Sequence, residues 1–176
     1  CSLRAALMEA NARPGADTIT IPSGTYSQTK RLNVTDDLTV NGAGRTGTLI
    51  AGAGSSGAYG FSLIDITTTL ELNDLTLTNF PKAIYLLRAG NSQVEVYNSN
   101  LRGNVNTNTS ESGSALTNYC DNCAVGLHTA YIYSNKSPAC GAIHTEGTLV
   151  IDMNSQVYGN EATTTIGGAI CSRDTA

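Results

Sequence analysis

The chain has 176 residues, of which 40% are hydrophobic and only 14% are charged, and its formal net charge is −4 at pH 7. A chain of this length can bury one substantial core. Its Lys and Arg residues stand singly, so neither nucleic acid nor an anionic membrane surface is expected as a partner, and it lacks the run of roughly eighteen apolar residues that a membrane span requires.

Residues 1–16 predict a short amphipathic helix. Ser2 is a suitable N-cap, and Asn11 followed by Pro14 and Gly15 marks where the helix stops. Four apolar residues fall on one helical face: Leu3, Ala6, Leu7 and Ala10. Such a helix can cover the open end of a stack of β-coils, where apolar side chains and backbone groups would otherwise be exposed.

The same segment resembles a known N-terminal sequence type. The residues that carry the resemblance are 1–7 (CSLRAAL), Ala10-Asn11, 14–19 (PGADTI) and the pattern Pro22-x-Gly24-x-Tyr26. They resemble the CSLREA-type cap of secreted, repetitive β-helix proteins of bacteria and archaea. Ala5 departs from that pattern, which has Glu there, so the helix start lacks the second half of a capping box. The resemblance implies an extracellular, surface-associated β-helix and no catalytic residue.

Two short patterns recur in the second half of the chain. The first is Gly141-Ala142-Ile143, which returns as Gly168-Ala169-Ile170 and, in a related form, as Ser114-Ala115-Leu116. In the second, Leu101, Ile132 and Val157 are each followed three positions later by Asn104, Asn135 and Asn160. Regular self-similarity of this kind predicts a solenoid. Both patterns resemble the repeats of polymorphic outer-membrane proteins and autotransporters.

Short alternations of apolar and polar residues predict that the repeating unit is built from strands. The expected inward-facing pairs are Leu32/Val34, Leu38/Val40, Ile64/Ile66, Leu70/Leu72, Leu75/Leu77, Ile84/Leu86, Val94/Val96, Val125/Leu127 and Leu149/Ile151. At about 25 residues per turn, residues 17–176 give about six coils. We therefore expect one all-β domain over residues 1–176, a right-handed parallel β-helix with a short N-terminal capping α-helix and no cap at its C-terminal end.

Asn104, Asn135 and Asn160 are expected to lie above one another at one corner of the solenoid. Asn tolerates the left-handed backbone conformation, and its amide can hydrogen-bond to neighbours above and below in a ladder. The pattern therefore predicts a structural role for all three.

The chain contains five cysteines, at positions 1, 120, 123, 140 and 171. Their spacing bears on whether they form disulfides, remain thiols or bind a metal ion. Cys120 and Cys123 form a CxxC in a Gly- and Asn-rich loop, which favours a structural disulfide or plain thiols over a redox motif. Zinc would need Cys140 and His128 as further ligands. No metal ion or cofactor is predicted.

A bond between Cys140 and Cys171 is not expected. The repeat register aligns Cys140 with Gly167, which leaves Cys171 roughly 13 Å away along an extended chain.

Many right-handed β-helices cleave acidic polysaccharides, using clustered carboxylates and basic groups, so a catalytic function is one hypothesis for this chain. The acidic residues of this chain are isolated, apart from Asp36-Asp37 in a turn. The best constellation is His144, Glu146 and Asp121, with Thr117 and Cys171 beside His144 in register. One coincidence of register assigns no catalytic residue. A polysaccharide-active enzyme or carbohydrate-binding module of the pectate-lyase-like type is kept as the alternative.

A ligand-binding ladder is predicted at Arg102, Tyr133 and Tyr158. Each follows an inward residue, so by alternation the three point outward on successive coils. Exposed aromatic side chains on a rigid face suit sugar or protein binding. Ordinary cross-strand stacking is the simpler competing explanation.

Asn33, Asn108 and Asn135 begin glycosylation sequons, although Pro138 and the ladder role weaken the case for Asn135. The function expected from all these features is that of a non-catalytic extracellular or cell-surface protein. It would be adhesin-like or would form filaments by end-to-end stacking, with extracellular glycans, host or cell-surface proteins, or other copies of itself as partners.

Overall fold

The structure, a computed structural model, describes residues 2–54, 57–164 and 168–173. Its strands form three parallel sheets of six strands each, and neighbouring strands of a sheet come from successive turns of the chain. The predicted parallel β-helix of about six coils with one short N-terminal helix is confirmed. Cys1 of the N-terminal motif and Gly167, used above to place Cys140, lie outside the described residues.

Helix α1 (Leu3–Asn11) covers the first coil as the amphipathic pattern predicts. Ser2 is its N-cap and accepts a hydrogen bond from the Ala5 backbone N–H at 3.2 Å. The apolar face of the helix is buried through Leu3, Leu7 and Ala10. No helix in the described part of the chain is long and apolar enough to cross a membrane.

The strands follow in chain order, coil by coil. The first three coils contain β1 (Asp17–Thr20), β2 (Gly24–Gln28) and β3 (Leu32–Asn33); β4 (Leu38–Asn41), β5 (Thr48–Gly52) and β6 (Phe61–Ile64); and β7 (Thr69–Asn73), β8 (Thr76–Thr78) and β9 (Ile84–Leu87). The fourth contains β10 (Gln93–Tyr97), β11 (Asn100–Arg102) and β12 (Leu116–Tyr119). The fifth contains β13 (Ala124–His128), β14 (Tyr131–Tyr133), β15 (Lys136–Ser137) and β16 (Ile143–Thr145). The sixth contains β17 (Thr148–Ile151), β18 (Gln156–Tyr158), β19 (Glu161–Ala162) and β20 (Ile170–Ser172).

Each sheet collects the equivalent strand from every coil. Sheet A contains β1, β4, β7, β10, β13 and β17; sheet B contains β2, β5, β8, β11, β14 and β18; and sheet C contains β3, β6, β9, β12, β16 and β20. Strands β15 and β19 form a separate two-stranded sheet. Because the strands pair in register, equivalent side chains lie in columns parallel to the solenoid axis.

The inward columns form one apolar core inside the coils. Of the predicted inward pairs, Leu149/Ile151 is incompletely buried in β17, an end strand of sheet A, where Ile151 is 37% exposed. The other pairs are all buried except Ile64/Ile66. The prediction for this pair was wrong at Ile64, because β6 instead turns Phe61 and Leu63 inward, and each of these is 0% exposed. Ile66 packs only partly buried against the core, because Asp65 before it has a φ of 52° and ends the strand.

Asn104, Asn135 and Asn160 form the ladder at one corner. The Asn104 Nδ2 donates to Asn135 Oδ1 at 3.0 Å, and the Asn135 Nδ2 donates to Asn160 Oδ1 at 2.9 Å. The same amide of Asn135 also donates to the Leu101 carbonyl at 2.8 Å. Backbone N–H groups join the pattern, since those of Asn104 and Asn135 each donate to the next Asn side chain at 3.0 Å. The ladder therefore satisfies backbone groups that the strands leave unpaired at this corner.

The backbone explanation offered for these residues was wrong. The left-handed conformation belongs to the residue before each ladder position, namely Gly103 (φ 60°), Ser134 (φ 55°) and Gly159 (φ 59°). Those residues make the turn, and each Asn then bridges two coils with its side chain.

Replacing Asn135 by Ala should lower the free energy of unfolding by about 3 kcal/mol. The change leaves the buried Asn104 N–H and the Leu101 carbonyl without the partners described above, and each such group costs roughly 1–3 kcal/mol. Chemical denaturation at neutral pH measures the loss. The matched control is Asn91→Ala, because Asn91 is exposed in a turn and its side chain makes no hydrogen bond within the described chain. Equal stability of the two variants would contradict a structural ladder.

Two disulfides occur among the residues that the structure describes. Cys120 and Cys123 are joined across the short CxxC loop, with their Cα atoms 5.4 Å apart. Cys140 and Cys171 are also joined, with a Cα separation of 5.2 Å, so the expectation that they could not pair was wrong. Cys140 has a φ of 53° in a bend that precedes β16, so the chain does not run extended from there to His144. Its Sγ lies 3.7 Å from His144 Nδ1, and Cys171 is the register partner of His144 on the next coil.

Candidate functional site

The three sheets present different chemistry on their outer surfaces. The strands of sheet B contain no acidic residue, whereas sheet A carries Glu71 and Glu95 in register on neighbouring coils. Sheet C carries His144 and is partly covered by the segment 103–115, which packs on it through Glu111. The exposed faces of sheets A and B are thus the two candidate binding surfaces.

The sheet B surface, which we call the aromatic face, consists of Arg45, Arg102, Tyr131, Tyr133 and Tyr158. The register pairs Arg102 with Tyr133 and Tyr133 with Tyr158 on successive coils. The rings of Tyr133 and Tyr158 stack with centroids 5.1 Å apart and planes 3° from parallel. Tyr158 remains 49% exposed. The structure thus brings together all three residues of the predicted ladder, and the stacked pair is accessible to solvent through Tyr158.

Arg45 belongs to this face, although sequence reasoning missed it. It lies in the turn before β5, and its carbonyl accepts a hydrogen bond from Thr76 Oγ1 at 2.6 Å. Its guanidinium carbon lies 4.4 Å from the ring centroid of Tyr131. The only sequence signal was a basic residue in a Gly-rich turn, which does not indicate the coil toward which the side chain extends.

On sheet A, His128 lies between two carboxylates. Its Nε2 is 2.9 Å from Glu95 Oε2, and its Nδ1 is 3.6 Å from Asp152 Oδ2. The ring of Tyr97 stacks on the imidazole, with centroids 4.6 Å apart. Gly126 permits this arrangement, because a Cβ atom at that position would collide with the Glu95 carboxylate and the His128 ring. The group is partly exposed and combines a carboxylate pair with an imidazole.

The constellation predicted around His144 is only partly assembled. His144 Nε2 lies 3.5 Å from Glu146 Oε1, and Thr117 and Cys171 flank His144 in register. Cys171 forms a disulfide with Cys140, so it has no free thiol. His144 is only 7% exposed, and burial lowers the pKa of its imidazole, with Glu146 opposing the shift. Asp121 lines a surface groove with Glu146 and Arg173, and among the described residues the carboxylate paired with the His144 ring is that of Glu146.

Lys82 forms a second buried group on sheet C that the sequence did not reveal. Its side chain is 0% exposed, and its Nζ lies 2.8 Å from Glu111 Oε2. The rings of Tyr85, Tyr119 and Tyr59 surround the ammonium at centroid distances of 4.4, 5.1 and 5.6 Å. Nζ makes no well-aligned hydrogen bond within the described chain, so the contact with Glu111 is an ion pair supported by the aromatic rings.

Burial disfavours the charged forms of both Lys82 and Tyr85, so it shifts their pKa values in opposite directions. Desolvation lowers the pKa of Lys82, although Glu111 opposes the shift. Desolvation and the charge of Glu111 raise the pKa of Tyr85 to about 12. The group fixes the segment 103–115 on sheet C, because the Ser112 N–H also donates to the Tyr119 hydroxyl at 3.2 Å. Lys82, Glu111 and the surrounding tyrosine rings therefore form a buried structural contact, which we call the buried clasp.

Replacing Glu111 by Gln should lower the free energy of unfolding by about 3 kcal/mol, because it leaves the Lys82 ammonium buried without a compensating charge. Denaturation at neutral pH measures the effect. The matched control is Glu161→Gln, which breaks the 3.0 Å ion pair between Glu161 and Lys136. The side chains of Glu161 and Lys136 are 60% and 47% exposed. That exposed pair should contribute less than about 1 kcal/mol. Similar losses in both variants would contradict a buried clasp.

The sequon residues lie in different environments. Asn33 and Asn108 are exposed, so their amide nitrogens are accessible. Asn135 is 1% exposed and its amide donates within the ladder, so it has no room for a glycan. No group of three or more His, Cys, Asp or Glu side chains suited to a metal ion occurs within the described ranges.

Comparison with protein-family models, with curated proteins and with solved structures finds no match to this chain.

Proposed function

We propose that the protein is a non-catalytic extracellular surface protein of the adhesin-like kind, a stiff β-solenoid that presents the aromatic face to a ligand. The observation that carries this proposal is the parallel stack of Tyr133 on Tyr158 beside Arg102, on adjacent strands of one sheet. Rigid aromatic side chains provide a large contact area at a small cost in conformational entropy.

Two further features support an extracellular setting. The N-terminal segment resembles the CSLREA-type cap of secreted β-helix proteins. The disulfides Cys120–Cys123 and Cys140–Cys171 suit an oxidising environment, since such bonds rarely persist in a reducing cytosol. A solenoid with few charged residues and a continuous core is suited to holding a binding face away from a surface.

The double variant Tyr133→Ala/Tyr158→Ala should lose most binding to a printed array of neutral and acidic glycans and extracellular-matrix proteins. Each aromatic ring that stacks on a ligand is expected to contribute about 1 kcal/mol or more, so the pair should reduce affinity by tenfold or more. The matched control is Tyr97→Ala, because Tyr97 is 38% exposed in an aromatic stack on sheet A. Retained binding by the double variant, or an equal loss in the control, would refute a ligand role for this face.

Assembly into filaments by end-to-end stacking is the second form of the proposal. Helix α1 covers the first coil and buries Leu3, Leu7 and Ala10 there. Stacking another coil at this end would require the helix to move and expose these side chains, which favours the adhesin-like form. Fibres in electron micrographs of the purified protein would favour the filament instead.

A polysaccharide-active enzyme is the alternative, and the contacts of His128 with Glu95 and Asp152 on sheet A favour it over any other catalytic assignment. If the chain is an enzyme of this kind, His128→Ala should abolish cleavage of polyuronates, because it removes the partly exposed imidazole that would act as the general acid or base. The buried His144 should matter much less, so His144→Ala serves as the comparison. Our proposal predicts that the wild-type protein releases no reducing ends or unsaturated products. Turnover that is lost on His128→Ala would overturn it.

A further inference from the structure

We propose that the ligand of the aromatic face is an anionic polysaccharide, bound through carboxylate or sulfate groups, with its chain lying along the solenoid axis. This inference rests on the proposed binding function and assigns the chemistry of the ligand. It derives from the charges of the aromatic face, which differ from those of the rest of the molecule.

Arg45 and Arg102 bring two cations to the same part of sheet B. Arg45 lies over Tyr131, and Tyr131 is in the same strand as Tyr133, the register partner of Arg102. The Arg45 guanidinium thus extends from the second coil to Tyr131 on the fifth coil, while Arg102 belongs to the fourth coil, so both cations lie on the part of sheet B formed by β11 and β14. Neither makes an ion pair with a carboxylate among residues 2–54, 57–164 and 168–173. By contrast, the exposed Arg88 is paired with Asp65 at 2.9 Å.

Sheet B offers no internal counter-charge. Its strands contain no Asp or Glu, although the whole chain carries 14 acidic residues against 10 Lys and Arg. The acidic residues of the sheets lie elsewhere, with Glu71 and Glu95 on sheet A. Two guanidinium groups without an ion pair, on strands that contain no carboxylate, are complementary to a ligand that supplies the anions.

A polysaccharide fits these groups better than a nucleic acid or an acidic protein does. Aromatic rings bind the apolar faces of sugar rings, while the guanidinium groups bind carboxylate or sulfate in a bidentate manner. The outward residues repeat once per coil, at about 4.8 Å, which presents a periodic surface to a polymer of repeating units. Two cations are too few for the multiple phosphate contacts that nucleic-acid binding requires.

The test compares polygalacturonate with the same polymer after complete methyl esterification, which removes the charge and keeps the backbone. Wild-type protein should bind polygalacturonate at least tenfold more tightly, and added salt should weaken that binding. Arg45→Gln/Arg102→Gln should remove about tenfold or more of the affinity for polygalacturonate and leave binding to the ester unchanged. Arg88→Gln, which also removes an exposed cation, should retain wild-type affinity. Dextran sulfate compared with dextran then separates sulfate recognition from carboxylate recognition.

Several results would overturn the inference. One is equal affinity for polygalacturonate and its ester, and another is an equal loss in the Arg88→Gln control. Binding of a single-stranded oligonucleotide as tightly as polygalacturonate would show that any polyanion suffices. If the protein binds the uncharged polymers and loses this on Tyr133→Ala/Tyr158→Ala but not on Arg45→Gln/Arg102→Gln, the adhesin-like function stands and the anionic ligand is excluded. Unchanged thermal unfolding of each variant ensures that the comparison reports binding.

Discussion

In-register pairing of each coil with the next is the constraint on which the rest of this structure depends. It satisfies the backbone within the sheets, and it forces equivalent side chains into columns. Where strands end, the backbone needs other partners, and the Asn104, Asn135 and Asn160 side chains supply them by bridging successive coils. A shift of one residue would turn apolar columns outward, so the ladder also helps to specify the register.

The same columns make the outer faces chemically distinct. Outward residues at equivalent positions of neighbouring coils lie next to one another. Charged groups and aromatic rings therefore collect on one side of the solenoid instead of being dispersed around it. On sheet A this places Glu95 where it reaches His128, and Gly126 leaves the space for that contact. On sheet B it places Arg102, Tyr133 and Tyr158 in one line. Function on such a scaffold is therefore encoded in outward residues, while the core is shared by all faces.

The sequence predicted those features that recur with the coil. The fold, the Asn ladder and the Tyr133–Tyr158 column were accessible because each carries a periodic signal. Arg45 and Lys82 were not, because each depends on how a turn or a loop lies across neighbouring coils. The Cys140–Cys171 bond was missed for a related reason, since the bend at Cys140 brings together atoms that an extended chain would separate. The Ile64 error arose because a Gly- and Ser-rich segment gives no sign of where β6 begins.

The net negative charge of the chain does not oppose an anionic ligand on sheet B. At physiological ionic strength the screening length is about 8 Å, so an exposed charge acts mainly on groups beside it. The carboxylates of sheet A lie on another face of the solenoid, whereas on sheet B Arg102 is the register partner of Tyr133 and Arg45 lies over Tyr131. Because register fixes which residues share a face, the potential that a ligand meets is set by one column and its neighbours. The distribution of charge around the solenoid, and not its sum, therefore determines what each face can bind.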